Sequence, residues 1–264
     1  MAAFFMRIVL NFRALPILAI FIWSLFSESF VYAAQSDVDC LRIIRSSLED
    51  PNGFLTTWNF NNDSDGYICT FTGIECWHLD ENRVLNIRLG NMGLQGTFPL
   101  GVAGCSSMTG LDLSNNKIYG NIPNNISNIV KFLMSLDLSN NELSGEIPLD
   151  LAKCEYLNVL KLDNNQLTGQ IPAQFALLSR MKTFSVSNNR LNGPVPSFSK
   201  NVRITAESYV NNAGLCGDPL PACQGTSKKT KIAPIVGAAV GGLTLGALGL
   251  FICARRLERR KEIL

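Results

Sequence analysis

The chain has 264 residues, with 23 lysines and arginines against 21 acidic residues, a net charge of +2, and a single histidine. That balance offers no nucleic-acid surface, and one histidine leaves few means for general acid–base chemistry. The sequence therefore points to binding rather than to catalysis.

Residues 1–34 carry Arg7 and Arg13, an apolar run from Leu15 to Phe26, and the small-residue close Val31-Tyr32-Ala33-Ala34. This is the pattern of a secretory signal peptide, with the mature chain expected to begin near Ala34 or Gln35. Residues 35–83 then read as an N-terminal cap. Ser36-x-x-Asp39 has the form of a helix capping box, followed by Leu41, Ile44 and Leu48 at helical spacing and by Asp50-Pro51 as a stop. Trp58 and the pair Cys69 and Cys76 follow. The lone His78 beside Trp77 lacks a nucleophile arrangement and reads as structural; a metal site built from the cysteines and His78 is the weaker alternative.

Residues 84–198 are dominated by five copies of Gly-x-φ-Pro, where φ is a large apolar residue: Gly96 to Pro99, Gly120 to Pro123, Gly145 to Pro148, Gly169 to Pro172 and Gly193 to Pro196. Their prolines lie 24, 25, 24 and 24 residues apart, the period of a solenoid whose units complete one another's cores. Each copy follows a Leu-x-Leu-x-x-Asn segment, as in Leu111-Asp112-Leu113-Ser114-Asn115-Asn116, which alternates like a short strand with one buried face. Asn116, Asn141, Asn165 and Asn189 are expected to form a ladder that satisfies backbone groups at the bend after each strand, with Met92 in the first repeat at the same position. The residues between the leucines form a concave column: Asn86, Arg88 and Gly90; Asp112 and Ser114; Asp137 and Ser139; Lys161 and Asp163; Ser185 and Ser187. Solenoids bind through such extended surfaces, and this polar, mixed-charge column suits a protein partner better than an apolar ligand. Cys105 and Cys154 occupy one position in repeats one and three, about 10 Å apart at a strand spacing of about 4.8 Å, beyond disulfide reach. Both read as buried free thiols, and for Cys40 on the cap helix the sequence leaves a free thiol and a paired one open.

Residues 199–231 form a C-terminal cap, holding Cys216 and Cys223, and a lysine-bearing linker. Ile232 to Ala254 gives 23 uncharged residues, enough for one transmembrane helix over 232–254. Arg255, Arg256, Arg259, Arg260 and Lys261 in the tail 255–264 outnumber Lys228, Lys229 and Lys231, so the C-terminus is expected on the cytoplasmic side of the plasma membrane. Gly237-x-x-x-Gly241 and Gly242-x-x-x-Gly246 permit close helix approach within the span. Asn62-Asp63-Ser64 and Asn125-Ile126-Ser127 are glycosylation sequons outside the strands.

The repeats resemble the plant extracellular leucine-rich repeats, with consensus LxxLxLxxNxLxGxIPxxLxxLxx. The expected architecture is thus an α/β leucine-rich repeat solenoid of about five 24-residue repeats, with a helical N-cap, disulfide-pinned caps and one transmembrane helix. The pairs Cys69 with Cys76 and Cys216 with Cys223 read as local disulfides, as in the paired-cysteine caps of plant leucine-rich repeat receptors. Gly66-Tyr67-Ile68-Cys69 through Cys76-Trp77, the run Lys182 to Ser187, and Asn212-Ala213-Gly214-Leu215-Cys216 together look like the small plant receptor-like kinases that interact with somatic-embryogenesis receptor kinases. That resemblance implies receptor-kinase ectodomains as partners, no cofactor, no metal, and no catalysis. It implies a membrane-anchored module that modulates immune or growth signalling. The sequence ends at Leu264, ten residues past the span, so the kinase-like part of that family is not among these residues. A truncated product of an inactive receptor kinase and a cell-wall-enzyme inhibitor are the alternatives.

Overall fold

The structure, a computed structural model, describes residues 37–62, 64–198 and 204–223. The leader over 1–34, the span over 232–254 and the tail over 255–264 lie outside the described residues. Among the described residues no helix is long and apolar enough to cross a membrane.

Each coil contributes one strand to each of two parallel sheets. The first sheet runs through β3 (Val84–Arg88), β5 (Gly110–Asp112), β7 (Ser135–Asp137), β9 (Val159–Lys161) and β11 (Thr183–Ser185), with β2 (Ile74–Cys76) added antiparallel at the cap end. Register is fixed by the repeat: Leu111 pairs with Leu136, and Leu136 with Leu160, so identical side chains stack in the core. Ile87, Leu111, Leu136, Leu160 and Phe184 are all buried on that inner face.

A second sheet was not anticipated from the repeats. It runs through β4 (Gln95–Thr97), β6 (Lys117–Asn121), β8 (Glu142–Glu146), β10 (Gln166–Gln170) and β12 (Arg190–Pro194), closed by β1 (Leu48–Glu49) at one end and β13 (Gly214–Cys216) at the other. The glycines of Gly-x-φ-Pro belong to it. Gly145 has φ 77°, and a Cβ there would lie 2.6 Å from the Asn121 side chain of the preceding coil. The backbone angle therefore favours glycine, while the exposed Asn121 side chain can move aside for a Cβ.

The third side of each coil is a single turn. Pro99, Pro148 and Pro172 each open a 3-10 turn, and among the described residues the second repeat alone forms α-helix there, α2 (Ile126–Ile129). At the N-terminal end α1, over 37–47, covers the first coil with Leu41 and Ile44 fully buried. Leu48, read as the last helical position, instead begins β1 and pairs with Gly96. Asp50 ends the cap segment as expected of a stop, its carboxylate accepting the backbone N–H groups of Phe54 and Leu55.

The asparagine ladder is present and one rung longer than expected. The Asn141 amide donates to the carbonyls of Leu113, Leu138 and Ser139 at 2.9, 3.1 and 3.1 Å, and its oxygen accepts Ile118 N–H at 2.9 Å. Asn116, Asn165 and Asn189 repeat the pattern, and Asn212 in the C-terminal cap repeats it again with Val186, Tyr209 and Leu191. The asparagine before each rung takes a left-handed angle, from Asn91 at φ 60° to Asn211 at φ 57°, a conformation that asparagine tolerates well. Replacing Asn141 by alanine leaves several buried backbone groups without partners and is expected to cost about 3 kcal/mol. Chemical denaturation checks this, and an effect below about 1 kcal/mol contradicts it.

The cysteines require a correction. Cys40 and Cys105 are joined by a disulfide with Cα atoms 5.5 Å apart, so neither is a free thiol. Spacing along the stack separates Cys105 from Cys154 and carries no information on the cap. There α1 lies directly against the first coil: a Cβ on Gly101 would meet Ile43 and Ile44 of that helix at 2.9 Å. Cys154 is free and buried, and burial beside the Asp150 carboxylate pushes its thiol up to about 11. Cys69–Cys76 and Cys216–Cys223 are paired as expected. Pairing commits both cap cysteines to sulfur, which closes the metal-site alternative with His78.

Candidate protein-binding surface

The predicted concave column lies along the outer face of the first sheet, and its charges are largely paired within it. Arg88 meets Glu75 at 3.1 Å, and the Asn86 amide donates to the same carboxylate at 2.7 Å. Lys161 meets Asp137 at 3.0 Å. That hydrogen bond, with the further attraction of Asp137, Asp163 and Asp112, holds the Lys161 ammonium above its ordinary value. Asp112 and Asp137 also accept the backbone N–H groups of Ser114 and Ser139, each two residues on. Ser114 and Ser139 are buried, as is Ser187, so they shape the face without offering contact area. Asn86, Asp112, Asp163 and Ser185 are half-buried, and Arg88 is exposed.

Beside this column runs a second one that the repeat analysis did not single out. The residue just before the first buried apolar position of each coil is Arg83, Ser107, Phe132, Tyr156 and Arg180, 24, 25, 24 and 24 residues apart. Phe132 is 51% exposed and Tyr156 41%, with Trp77 at 44% and Met134 at 42% alongside. Phe132 and Tyr156 have ring centroids 6.3 Å apart. Arg83 lies over Trp77 at 5.4 Å and Arg180 over Tyr156 at 5.2 Å. Trp77 is held by its indole N–H donating to the Ser107 carbonyl at 3.1 Å, and Arg83 donates to the Ser107 hydroxyl at 3.0 Å. A cavity of about 340 Å³ opens among Trp77, Arg83, Ser107, Thr109, Phe132, Met134 and Tyr156.

This ridge has the composition of a protein–protein hot spot. Aromatic side chains and arginines supply large contact area with little rotamer freedom to lose, and they dominate measured interface energetics. Their exposure is unusual in another respect: a solenoid can bury its apolar residues coil against coil, yet these stand in a row on the outside. The signal was available in the sequence as a third 24-residue periodicity. Only two of its positions are aromatic, with serine before them and arginine after, so the signal is short.

The predicted sequon residues Asn62 and Asn125 are both exposed and lie away from this ridge in the chain, in the cap loop and at the start of α2.

Comparison with known proteins gives a consistent assignment. Residues 34–77 match the leucine rich repeat N-terminal domain family, and residues 107–129, 132–154 and 156–178 match the leucine rich repeat family. The inactive leucine-rich repeat receptor-like serine/threonine-protein kinase BIR2 of Arabidopsis thaliana is 52% identical over 240 residues, covering 90% of this chain and 40% of the relative. A probably inactive leucine-rich repeat receptor-like protein kinase of the same plant is 56% identical over 200 residues, covering 76% of this chain and 32% of the relative. The chain thus spans less than half the length of these curated relatives. Among solved structures, the BIR2 ectodomain from Arabidopsis thaliana matches with a TM-score of 0.69 at 49% identity, over 70% of this chain and 96% of that one. A chain of the BIR3–SERK2 complex from the same plant matches with a TM-score of 0.66 at 40% identity, over 71% and 99%.

Proposed function

Since the chain belongs to the plant leucine-rich repeat receptor-like kinases of the inactive, BIR2-like type, and matches them in their ectodomain, we propose that it binds the ectodomain of a somatic-embryogenesis receptor kinase and so modulates cell-surface signalling. In this reading the leader over 1–34 directs the chain to the secretory route, and residues 232–254 anchor it in the plasma membrane. The basic tail 255–264 faces the cytoplasm, and five repeats over 84–198 present the binding face outside.

The observation that carries this reading is the exposed ridge of Trp77, Phe132, Met134 and Tyr156 beside a polar, charge-bearing concave column. The ridge supplies apolar anchors and the column supplies register and charge complementarity, the division of labour seen in specific protein interfaces. The named complex of BIR3 with SERK2 supports the same class of partner, and the relatives named as inactive kinases support a role in binding. Binding would act by occupying the co-receptor so that a ligand-bound receptor finds less of it free.

The test is co-precipitation of the full chain with a somatic-embryogenesis receptor kinase from plant membranes, in the presence and absence of a ligand-activated receptor. The reading predicts association that falls as the activated receptor competes. Association with no member of that co-receptor family contradicts it. Reversing the charges of Arg88 and Lys161 together is expected to weaken the association severalfold, mainly through the on-rate. Stability should fall by about 1 kcal/mol, because reversal at Lys161 sets a like charge beside Asp137 on the neighbouring strand, and matched melting curves separate that loss from the loss of binding.

A further inference from the structure

On the co-receptor reading, we infer that the loop over 78–82 in the N-terminal cap is a preformed part of the binding surface. Leu79 at its tip enters an apolar recess of the same partner, and that recess is rimmed by basic side chains. The contact extends the interface past the repeats onto the cap.

The strands β2 and β3 are antiparallel, so the chain reverses between Cys76 and Val84. Trp77 N–H donates to the Arg83 carbonyl at 3.0 Å and closes the base of the reversal. Within it, Glu81 N–H donates to the His78 carbonyl at 3.3 Å and Arg83 N–H to the Glu81 carbonyl at 2.8 Å. The 3-10 turn Tyr67–Thr70, entered through Gly66, holds the loop from behind. Gly66 has φ 70°, and a Cβ there would lie 2.0 Å from the Leu79 carbonyl oxygen, so the two backbones touch. The Asn82 side chain accepts Ile68 N–H at 3.4 Å, and the Cys69–Cys76 disulfide ties the turn to the end of β2. The Leu79 backbone is thus fixed from within the loop and from the turn behind it. Its side chain stands free: the residue is 84% exposed, the largest value for a large apolar residue among the described residues.

One exposed leucine is ordinary on a protein surface and by itself asks for nothing. Leu79 differs in where its loop is rooted. The two residues that close the base, Trp77 and Arg83, are the cap end of the exposed ridge, with Arg83 over the Trp77 ring at 5.4 Å. Both line the cavity of about 340 Å³ that reaches Phe132 and Tyr156. A partner seated on the ridge therefore meets the loop beside it. An apolar side chain carried on a backbone that is already fixed has little ordering left to lose on binding, which favours burial of this tip over that of a mobile loop.

The rim of the recess follows from charge. Asp80 is exposed and Glu81 half-buried, and among the described residues neither carboxylate has a basic group within ion-pair distance. Glu75 and Asp137 of the concave column, in contrast, already meet Arg88 and Lys161. Two unpaired carboxylates next to an apolar tip favour a partner that sets lysine or arginine around its recess.

The test titrates the full chain, purified from plant membranes in detergent, with the ectodomain of a somatic-embryogenesis receptor kinase. The parent is compared with Leu79→Ala, Leu79→Met, Asp80→Lys/Glu81→Lys and the ridge variant Phe132→Ala/Tyr156→Ala. Leu79→Ala is expected to weaken binding about tenfold, and Leu79→Met by less than about twofold, because methionine keeps the apolar volume. The charge variant is expected to lower the on-rate about tenfold at low salt and to approach the parent as salt screens the charges. Melting temperatures should match the parent, since Leu79 covers almost none of its own chain. Binding by Leu79→Ala equal to that of the parent, while the ridge variant loses it, overturns the role of the loop and leaves the co-receptor reading standing. Absence of binding by the parent overturns both. A Leu79→Ala chain that keeps co-receptor binding but loses a self-association seen for the parent by light scattering assigns the tip to a second copy and also overturns the inference.

Discussion

Replacing Cys105 by alanine is expected to lower the stability of the ectodomain by about 4 kcal/mol, more than the about 2 kcal/mol expected for replacing Cys76, on the chain-entropy account of disulfides. The ranking follows from loop length. Cys40–Cys105 closes a sequence separation of 65 residues, whereas Cys69–Cys76 closes one of 7. The longer bridge restricts the unfolded chain far more, and it also ties α1 to the first coil, covering the open apolar end of the solenoid. Loss of the bridge leaves α1 held by Leu41, Ile44 and the contact of the Asp37 carboxylate with Val84 N–H. Thermal or denaturant unfolding of the two variants, each compared with the parent chain, gives the ranking directly. A Cys76→Ala chain that melts lower than a Cys105→Ala chain contradicts it.

The second large effect is expected at the ridge. Phe132 and Tyr156 stand out from the solenoid where neighbours on their own chain cover only about half of each, so alanine there removes little folding energy. Against a partner, each has the character of an interface anchor, for which truncation costs about 2 kcal/mol or more. The double variant Phe132→Ala/Tyr156→Ala is expected to bind a co-receptor ectodomain about a thousandfold more weakly, since about 4 kcal/mol separates the two states. Arg180→Ala should cost less, about 1 kcal/mol, because its exposed guanidinium contributes mainly through the ring of Tyr156. Surface titration with matched melting curves separates lost binding from lost folding.

Much of this architecture was legible because a solenoid writes the same instruction repeatedly. Leu111, Leu136 and Leu160 occupy one core column and Asn116, Asn141 and Asn165 one ladder, so errors at a single position do not disturb the pattern. The local cap disulfides were legible for the same reason of proximity in sequence. What was missed depends on contacts the period does not encode. The Cys40–Cys105 bridge joins a helix outside the repeats to a coil within them, and the packing of α1 on Gly101 has no periodic signature. The second sheet was hidden because its strands contain glycine and run close to a proline, residues that ordinarily argue against a strand. They are tolerated here because the glycines take positive φ at the corner of each coil. The aromatic ridge is faint in the sequence because its column holds only two aromatics, Phe132 and Tyr156, bounded by Ser107 and Arg180.

The site itself divides along the same line. Asn86, Arg88, Asp112, Asp137, Lys161, Asp163 and Ser185 share the outer face of the first sheet as their alternation required. Burial of Ser114 and Ser139 followed from something the alternation does not show, the way each serine folds back under the aspartate two residues before it.

The central claim, that the ridge and the concave column together receive a co-receptor ectodomain, is tested most directly by calorimetric titration. The purified, disulfide-intact ectodomain is titrated with the ectodomain of a somatic-embryogenesis receptor kinase, alongside its Phe132→Ala/Tyr156→Ala variant. The account predicts saturable one-to-one binding that disappears in the double variant while its melting curve stays close to that of the parent. Binding of equal strength by the two chains, or none by the parent, would contradict it.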